Sequence, residues 1–158
     1  MYTNSCCLIT LCICSCFFNE TTTTKIYTRK IVGSVSVYKR QTIDDAFQSF
    51  YQNAWPILKK ENVPFILFVN TREINDGHTN YMSWDQIREV HQSKIGTIGA
   101  HSFSHEYLVK LNQKDIAQDI EQSHQDYLRE LGIIPEVFSY PFGEYSTEIK
   151  KLVKKSKY

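Results

Sequence analysis

Hydrophobic and polar positions follow two periods along this chain, and the switches between them mark its elements. Ile31-Val32-Gly33-Ser34-Val35-Ser36-Val37 alternates residue by residue, which predicts a strand. Lys39-Arg40-Gln41 then interrupts, just before Thr42-Ile43-Asp44-Asp45. From Ala46 the apolar positions Phe47, Phe50 or Tyr51, Ala54 and Leu58 recur at helical spacing. Pro56 falls inside that pattern. Because Leu58-Lys59-Lys60 continues it, the proline predicts a kink or a restart rather than a helix end. Val63 to Val69 is an apolar run bounded by polar residues, as expected of a strand buried on both faces.

Further on, Ser83-Trp84-Asp85-Gln86 has the form of a capping box and predicts a helix through about His91. Ile95 to Ala100 is short, apolar and rich in small residues, and predicts a third strand. Asn112 is placed to cap a long helix carrying Ile116, Ile120, Tyr127 and Leu131 inward, with Gly132 as its stop. Glu136 to Tyr140 predicts a fourth strand, and Thr147 to about Lys155 a last helix. Strand and helix alternate with no hairpin signal. The fold class is therefore α/β with parallel strands, in about four βα units.

Composition narrows the picture. A chain of 158 residues suffices for one domain and one core, and 42% hydrophobic residues with 13% aromatics is globular. The formal net charge of +1 leaves no basic footprint of the size that nucleic acid requires, which argues against such a partner. All five cysteines lie in the first sixteen residues (Cys6, Cys7, Cys12, Cys14 and Cys16). They form no disulfide framework for the body of the chain and match no zinc-finger spacing. Cys6 to Phe18 is apolar and about as long as a signal-peptide core, too short to span a bilayer, and the first lysine is Lys25. Residues 1–30 are thus read as a signal-like segment and a polar linker, with an unrelated N-terminus as the competing reading. Any membrane association rests on that segment alone. Residues 31–158 are read as one domain.

The candidate chemistry gathers at Gly99-Ala100-His101-Ser102-Phe103-Ser104-His105. His101 and His105 stand four residues apart, so one helical turn or a tight loop aims both imidazoles at one point. They follow a predicted strand, at the carboxyl end where α/β folds keep their chemistry. Such a pair alone is weak evidence. Support comes from Thr42-Ile43-Asp44-Asp45 and from Phe138-Ser139-Tyr140-Pro141-Phe142-Gly143.

These three stretches, in this order, resemble the motifs of the polysaccharide deacetylase family (NodB homology, carbohydrate esterase family 4). Thr42 to Asp45 is similar to Thr-Phe-Asp-Asp, His101 to His105 to His-Ser/Thr-x-x-His, and Ser139 to Gly143 to Arg-x-Pro-Phe/Tyr-Gly. Serine stands where many members have arginine, so the most similar branch acts on poly-N-acetylglucosamine-type polymers. The resemblance implies a distorted (β/α) barrel of about seven strands, of which this chain supplies a partial, C-terminally truncated one. It also implies a divalent metal held by Asp45, His101 and His105. Zinc leads, with cobalt, nickel or iron suiting the same ligands. Asp44 would be the general base and the Phe142 N–H the oxyanion donor, with Tyr140, Pro141 and Tyr145 lining the substrate groove. Gly143 would let that loop turn sharply.

Three features qualify these expectations. Adjacent aspartates in an extended strand point to opposite faces, so the backbone must turn there for both to serve one site. Ala46 stands where the family has glycine, a mild change if its backbone is ordinary helix. The family's later motifs, including a Leu-x-His that supplies the proton donor, have no counterpart here. His124 falls mid-helix and is expected on the surface, facing away from the strand ends, with His78 and His91 likewise surface or loop groups. The expected function is removal of N-acetyl groups from an N-acetylglucosamine polysaccharide, in a periplasmic, secreted or cell-envelope setting. The alternatives are a non-catalytic carbohydrate- or metal-binding remnant, and the same fold acting on O-acetyl esters such as acetylated xylan.

Overall fold

The computed structural model describes residues 41–156 and residue 158. The expected strand Ile31–Val37 and the signal-like segment lie outside the described residues. Within them, β1 (Thr42–Ile43), β2 (Phe65–Val69) and β3 (Gly96–Ala100) form a parallel sheet in the order β1-β2-β3. Phe65 pairs with Gly96 and Val69 with Ala100, so β2 and β3 end level with one another. β2 begins one residue after Pro64, which has no N–H to give to a ladder.

The helix expected from Ala46 begins at Gln48. It runs through a wide π-helical turn at Phe50–Ala54 into α1 (Trp55–Glu61), where Pro56 sits in the first turn. Pro56 cannot donate to the carbonyl of Gln52, and the chain widens and restarts at that point. A short α2 (Thr71–Asn75) follows β2, an element the pattern of apolar residues did not announce. α3 (Trp84–Gln92) opens on a complete capping box between Ser83 and Gln86. α4 (Gln113–Leu131) is capped by the Asn112 side chain and stopped at Gly132, whose φ is 71°. α5 (Thr147–Lys155) is capped by Ser146. No described helix is long and apolar enough to cross a membrane.

Helices α1 to α4 send side chains into one core against the sheet, whereas α5 packs on α4 through Ile149 and Val153 against Ile116 and Ile120. Ile43, Phe65, Leu67, Val69, Ile98 and Ala100 point into a core shared with Trp55, Leu58, Ile87, Val90 and Tyr127. The opposite face is thin. Thr97 on it is exposed, and Gly99 is needed there because a Cβ would stand 2.5 Å from the Phe68 ring. Tyr127 donates its hydroxyl to the Val69 carbonyl, so α4 is fixed to the carboxyl end of β2.

Two expectations need correction. The strand predicted at Glu136–Tyr140 shrinks to a single parallel bridge between Ala100 and Phe138. Its hydrogen bonds run from Ala100 N–H to the Val137 carbonyl and from Ser139 N–H to the Ala100 carbonyl, 2.9 Å each. Pro135 and Pro141 bracket the segment and leave no room for a longer ladder. His124, expected on the surface, is 7% exposed, and its ring lies 4.9 Å from that of Tyr158. α4 is covered both by the sheet side and by α5 with Tyr158. Its buried arc is therefore wider than one stripe and takes in Ser123, His124 and Asp126.

Candidate metal centre

β1 stops at Ile43, and the chain turns immediately, with φ of 70° at Asp45 and 52° at Ala46. That turn is what two adjacent carboxylates need to serve one site. It also corrects the expectation for Ala46, which is fully buried and left-handed rather than ordinary helix. A glycine would take this conformation without strain, whereas alanine costs about 1–2 kcal/mol there.

His101 follows β3 directly and is 2% exposed. Its Nδ1 donates to the Ser139 carbonyl at 2.9 Å, so Nε2 carries the free lone pair. That bond is a product of the Ala100–Phe138 bridge, which brings Ser139 alongside. Nε2 of His101 lies 3.5 Å from Asp45 Oδ1, and Nε2 of His105 lies 3.0 Å from the same oxygen. One ligand atom from each of the three residues falls within 4.8 Å of the others.

Asp45 Oδ1 is buried and, for all its nearness to both rings, accepts no well-formed hydrogen bond among the described residues. Groups aimed at one another would make that bond, whereas groups aimed at a shared ion would not. Ligands placed tetrahedrally at about 2.0–2.1 Å from an ion stand roughly 3.3 Å apart, close to the two separations between Asp45 and the imidazoles. Two imidazoles and one carboxylate are a donor set for zinc or a similar divalent ion.

The loop between the histidines is held by residues that the sequence pattern did not single out. Asp119 on α4 accepts the Phe103 N–H at 2.8 Å and the Ser104 N–H at 2.9 Å. Ser102 Oγ accepts the His105 N–H at 3.0 Å, and the Arg72 N–H donates to the Phe103 carbonyl at 3.0 Å. These contacts fix left-handed backbone at Ser102 (φ 63°) and His105 (φ 54°). The available signal was an aspartate within the inward-facing stripe of a helix, next to Ile120.

Burial dominates the electrostatics. It raises the Asp44 carboxyl above its ordinary value; His101 and His105 pull it back, while Asp45 adds to the rise. Asp44 remains open to solvent on one side. Burial would raise Asp45 as well, but the His105 contact and the fields of both imidazoles together hold it below the usual carboxylate range. His101 is lowered by burial, against the Ser139 bond and the two aspartates.

The third stretch contributes unequally. Pro141 is buried, Phe142 takes φ 59° and Gly143 φ 69°. The Phe142 ring reaches the triad, 4.8 Å from the His105 ring. Tyr140 and Tyr145 instead pair with one another at 5.2 Å, and Tyr140 packs on Phe138. Tyr145 is 60% exposed. His78 pairs with Glu73 at 3.2 Å, and His91 lies in the last turn of α3.

The chain belongs to the polysaccharide deacetylase family, which residues 38–158 match. It is 28% identical over 117 residues to YxkH of Bacillus subtilis (strain 168), across 74% of this chain and 41% of that protein. It is 23% identical over 124 residues to a poly-beta-1,6-N-acetyl-D-glucosamine N-deacetylase of Staphylococcus aureus (strain MSSA476), across 72% of this chain and 43% of that protein. The fold is similar to that of the Streptococcus pyogenes deacetylase PplD, with a TM-score of 0.71 and 23% identity over 74% of this chain and 51% of that one. The chain thus spans about half the length, or less, of the proteins it matches.

Proposed function

We propose that this domain is the N-terminal part of a metal-dependent hydrolase that removes N-acetyl groups from a polysaccharide containing N-acetylglucosamine. The observation that carries the reading is the convergence of Asp45, His101 and His105 on one point, with Asp44 beside them. Similarity to a poly-N-acetylglucosamine N-deacetylase supports the substrate class.

When bound, a divalent ion, zinc first, supplies Lewis acidity to the amide carbonyl and makes water a better nucleophile near neutral pH. Asp44 is the group assigned to take the proton from the attacking water. The Phe142 N–H is assigned to the oxygen that gains charge as water adds. Tyr140, Pro141 and Tyr145 form the wall assigned to the sugar. The amide C–N bond then breaks, acetate leaves, and the amine takes up a proton. Such substrates belong to the cell envelope or the space outside it, in line with an exported protein.

One observation favours a second reading, a carbohydrate- or metal-binding domain without turnover. Apart from His101 and His105, no described histidine is available to protonate the amine. His78 is engaged with Glu73, His91 lies in the last turn of α3, and His124 is packed against Tyr158.

The test is elemental analysis of the dialysed 158-residue chain beside Asp45→Ala, followed by acetate release from N-acetylglucosamine oligomers and from acetylated xylan. About one divalent ion per chain, lost in the variant, is the result expected. No retained ion in the unsubstituted chain overturns the metal centre. Metal without acetate release selects the second reading, and release from xylan alone selects ester substrates.

A further inference from the structure

The two histidines of the triad are oriented in different ways. His101 has the Ser139 carbonyl on its Nδ1, the kind of partner that usually fixes a metal-binding imidazole. Among the described residues, the Nδ1 of His105 has no such partner. Its ring instead meets the Phe142 ring at 4.8 Å and 55°.

Phe142 is itself held in an unusual way. It is 51% exposed, so no enclosing core fixes it, yet it keeps left-handed backbone at φ 59°. A residue other than glycine persists there only where its surroundings over-determine it. Those surroundings are a column of flat groups. The Tyr107 ring lies parallel to Phe142, with centroids 3.8 Å apart and planes 4° apart. The Lys110 ammonium closes the far side of Tyr107, 4.1 Å from its centroid. The column therefore runs from Lys110 through Tyr107 and Phe142 to His105, and ends at the 3.0 Å contact with Asp45.

We propose that Tyr107 is a positioning residue of the metal centre, fixing Phe142 and through it the rotation of the His105 imidazole. The proposal rests on the reading of Asp45, His101 and His105 as a metal centre. A flat ring at position 107 is the required property, and the hydroxyl is not. Tyr107→Phe preserves the column, and Tyr107→Leu keeps an apolar side chain but removes the flat face. Phe142→Ala removes the middle of the column at an exposed ring.

The experiment is a cobalt(II) titration of the full chain, read by visible absorption and by competition with a chelator, with thermal melts of the metal-free proteins alongside. Tyr107→Phe is expected to match the unsubstituted chain in affinity and band shape. Tyr107→Leu and Phe142→Ala are each expected to lose roughly tenfold in affinity, with altered bands. Unchanged affinity and bands in both, whatever the melts show, overturn the proposal. In that case His105→Ala, failing to bind, shows that the metal centre itself stands. No cobalt uptake by the unsubstituted chain overturns the centre and the proposal together.

Discussion

Asp119 accepts the backbone N–H of Phe103 at 2.8 Å, and its second oxygen takes the next N–H, that of Ser104. A helix residue thus closes the loop between two metal-ligand candidates. The carboxylate is 7% exposed and each bond is charge-assisted. Asp119→Ala leaves two donors without their acceptor, and we expect a loss of about 2–3 kcal/mol in stability. Chemical denaturation measures it. Asp119→Asn keeps one good acceptor and should fall between the two. Equal stability of Ala and wild type would mean that water replaces the carboxylate fully.

Ala46 offers a test of backbone strain. It is fully buried at φ 52°, where glycine relieves roughly 1–2 kcal/mol of strain but adds about 0.5–1 kcal/mol of chain entropy to be lost and removes a buried methyl. The opposing effects nearly cancel, so Ala46→Gly is expected to melt within a few degrees of the unsubstituted chain. Ala46→Val should cost about 2 kcal/mol or more, because a β-branched residue is badly placed in left-handed backbone and there is no room for it. Paired thermal melts decide. Tolerance of valine would show that this turn relaxes.

The proposed division of labour between the two aspartates separates binding from turnover. Asp45 contacts both imidazoles through one oxygen, whereas Asp44 is the more open carboxylate beside them. His105→Ala should abolish retention of a divalent ion, and Asp44→Asn should spare retention while removing acetate release. Elemental analysis and an acetate assay on the same samples read both. An ion retained by the His105 variant would contradict the ligand assignment.

The elements that were legible in the sequence are those whose signal is local. α3, α4 and α5 each carry their own cap, in Ser83, Asn112 and Ser146, and a helical apolar stripe behind it. β2 and β3 are short apolar runs, and β2 takes the central place in the sheet that such a run predicts, with β3 beside it. What was not legible depends on partners far along the chain. α2 has too few residues to show a period. His124 is buried because α5 and Tyr158 return over α4, which no pattern within α4 can reveal. The same holds for the site. Spacing and resemblance singled out Asp45, His101 and His105, but Asp119, Tyr107 and the Ser139 carbonyl act across the fold.

Acid sensitivity offers a test far from the triad. Glu89 on α3 receives hydrogen bonds from Lys59 at 2.8 Å, from the Tyr51 hydroxyl and from Trp55 Nε1 at 3.3 Å, which ties α3 to α1 and the turn before it. The Lys59 and Tyr51 bonds lead in holding its carboxyl down to about 2, from an ordinary value of 4.5. A carboxyl lower in the folded than in the unfolded chain stabilises the fold fully above the unfolded value, and that contribution fades as pH falls through the folded one. The unsubstituted chain should therefore be more stable than Glu89→Gln at neutral pH. The gap should narrow between about pH 4.5 and pH 2, where the carboxyl becomes protonated and resembles the amide. Melting temperatures of both proteins across that window measure the gap. The side chain is 42% exposed, so solvent weakens these contacts and the gap should be modest. A gap that stays constant with pH would show that Glu89 holds the helices by shape rather than by charge.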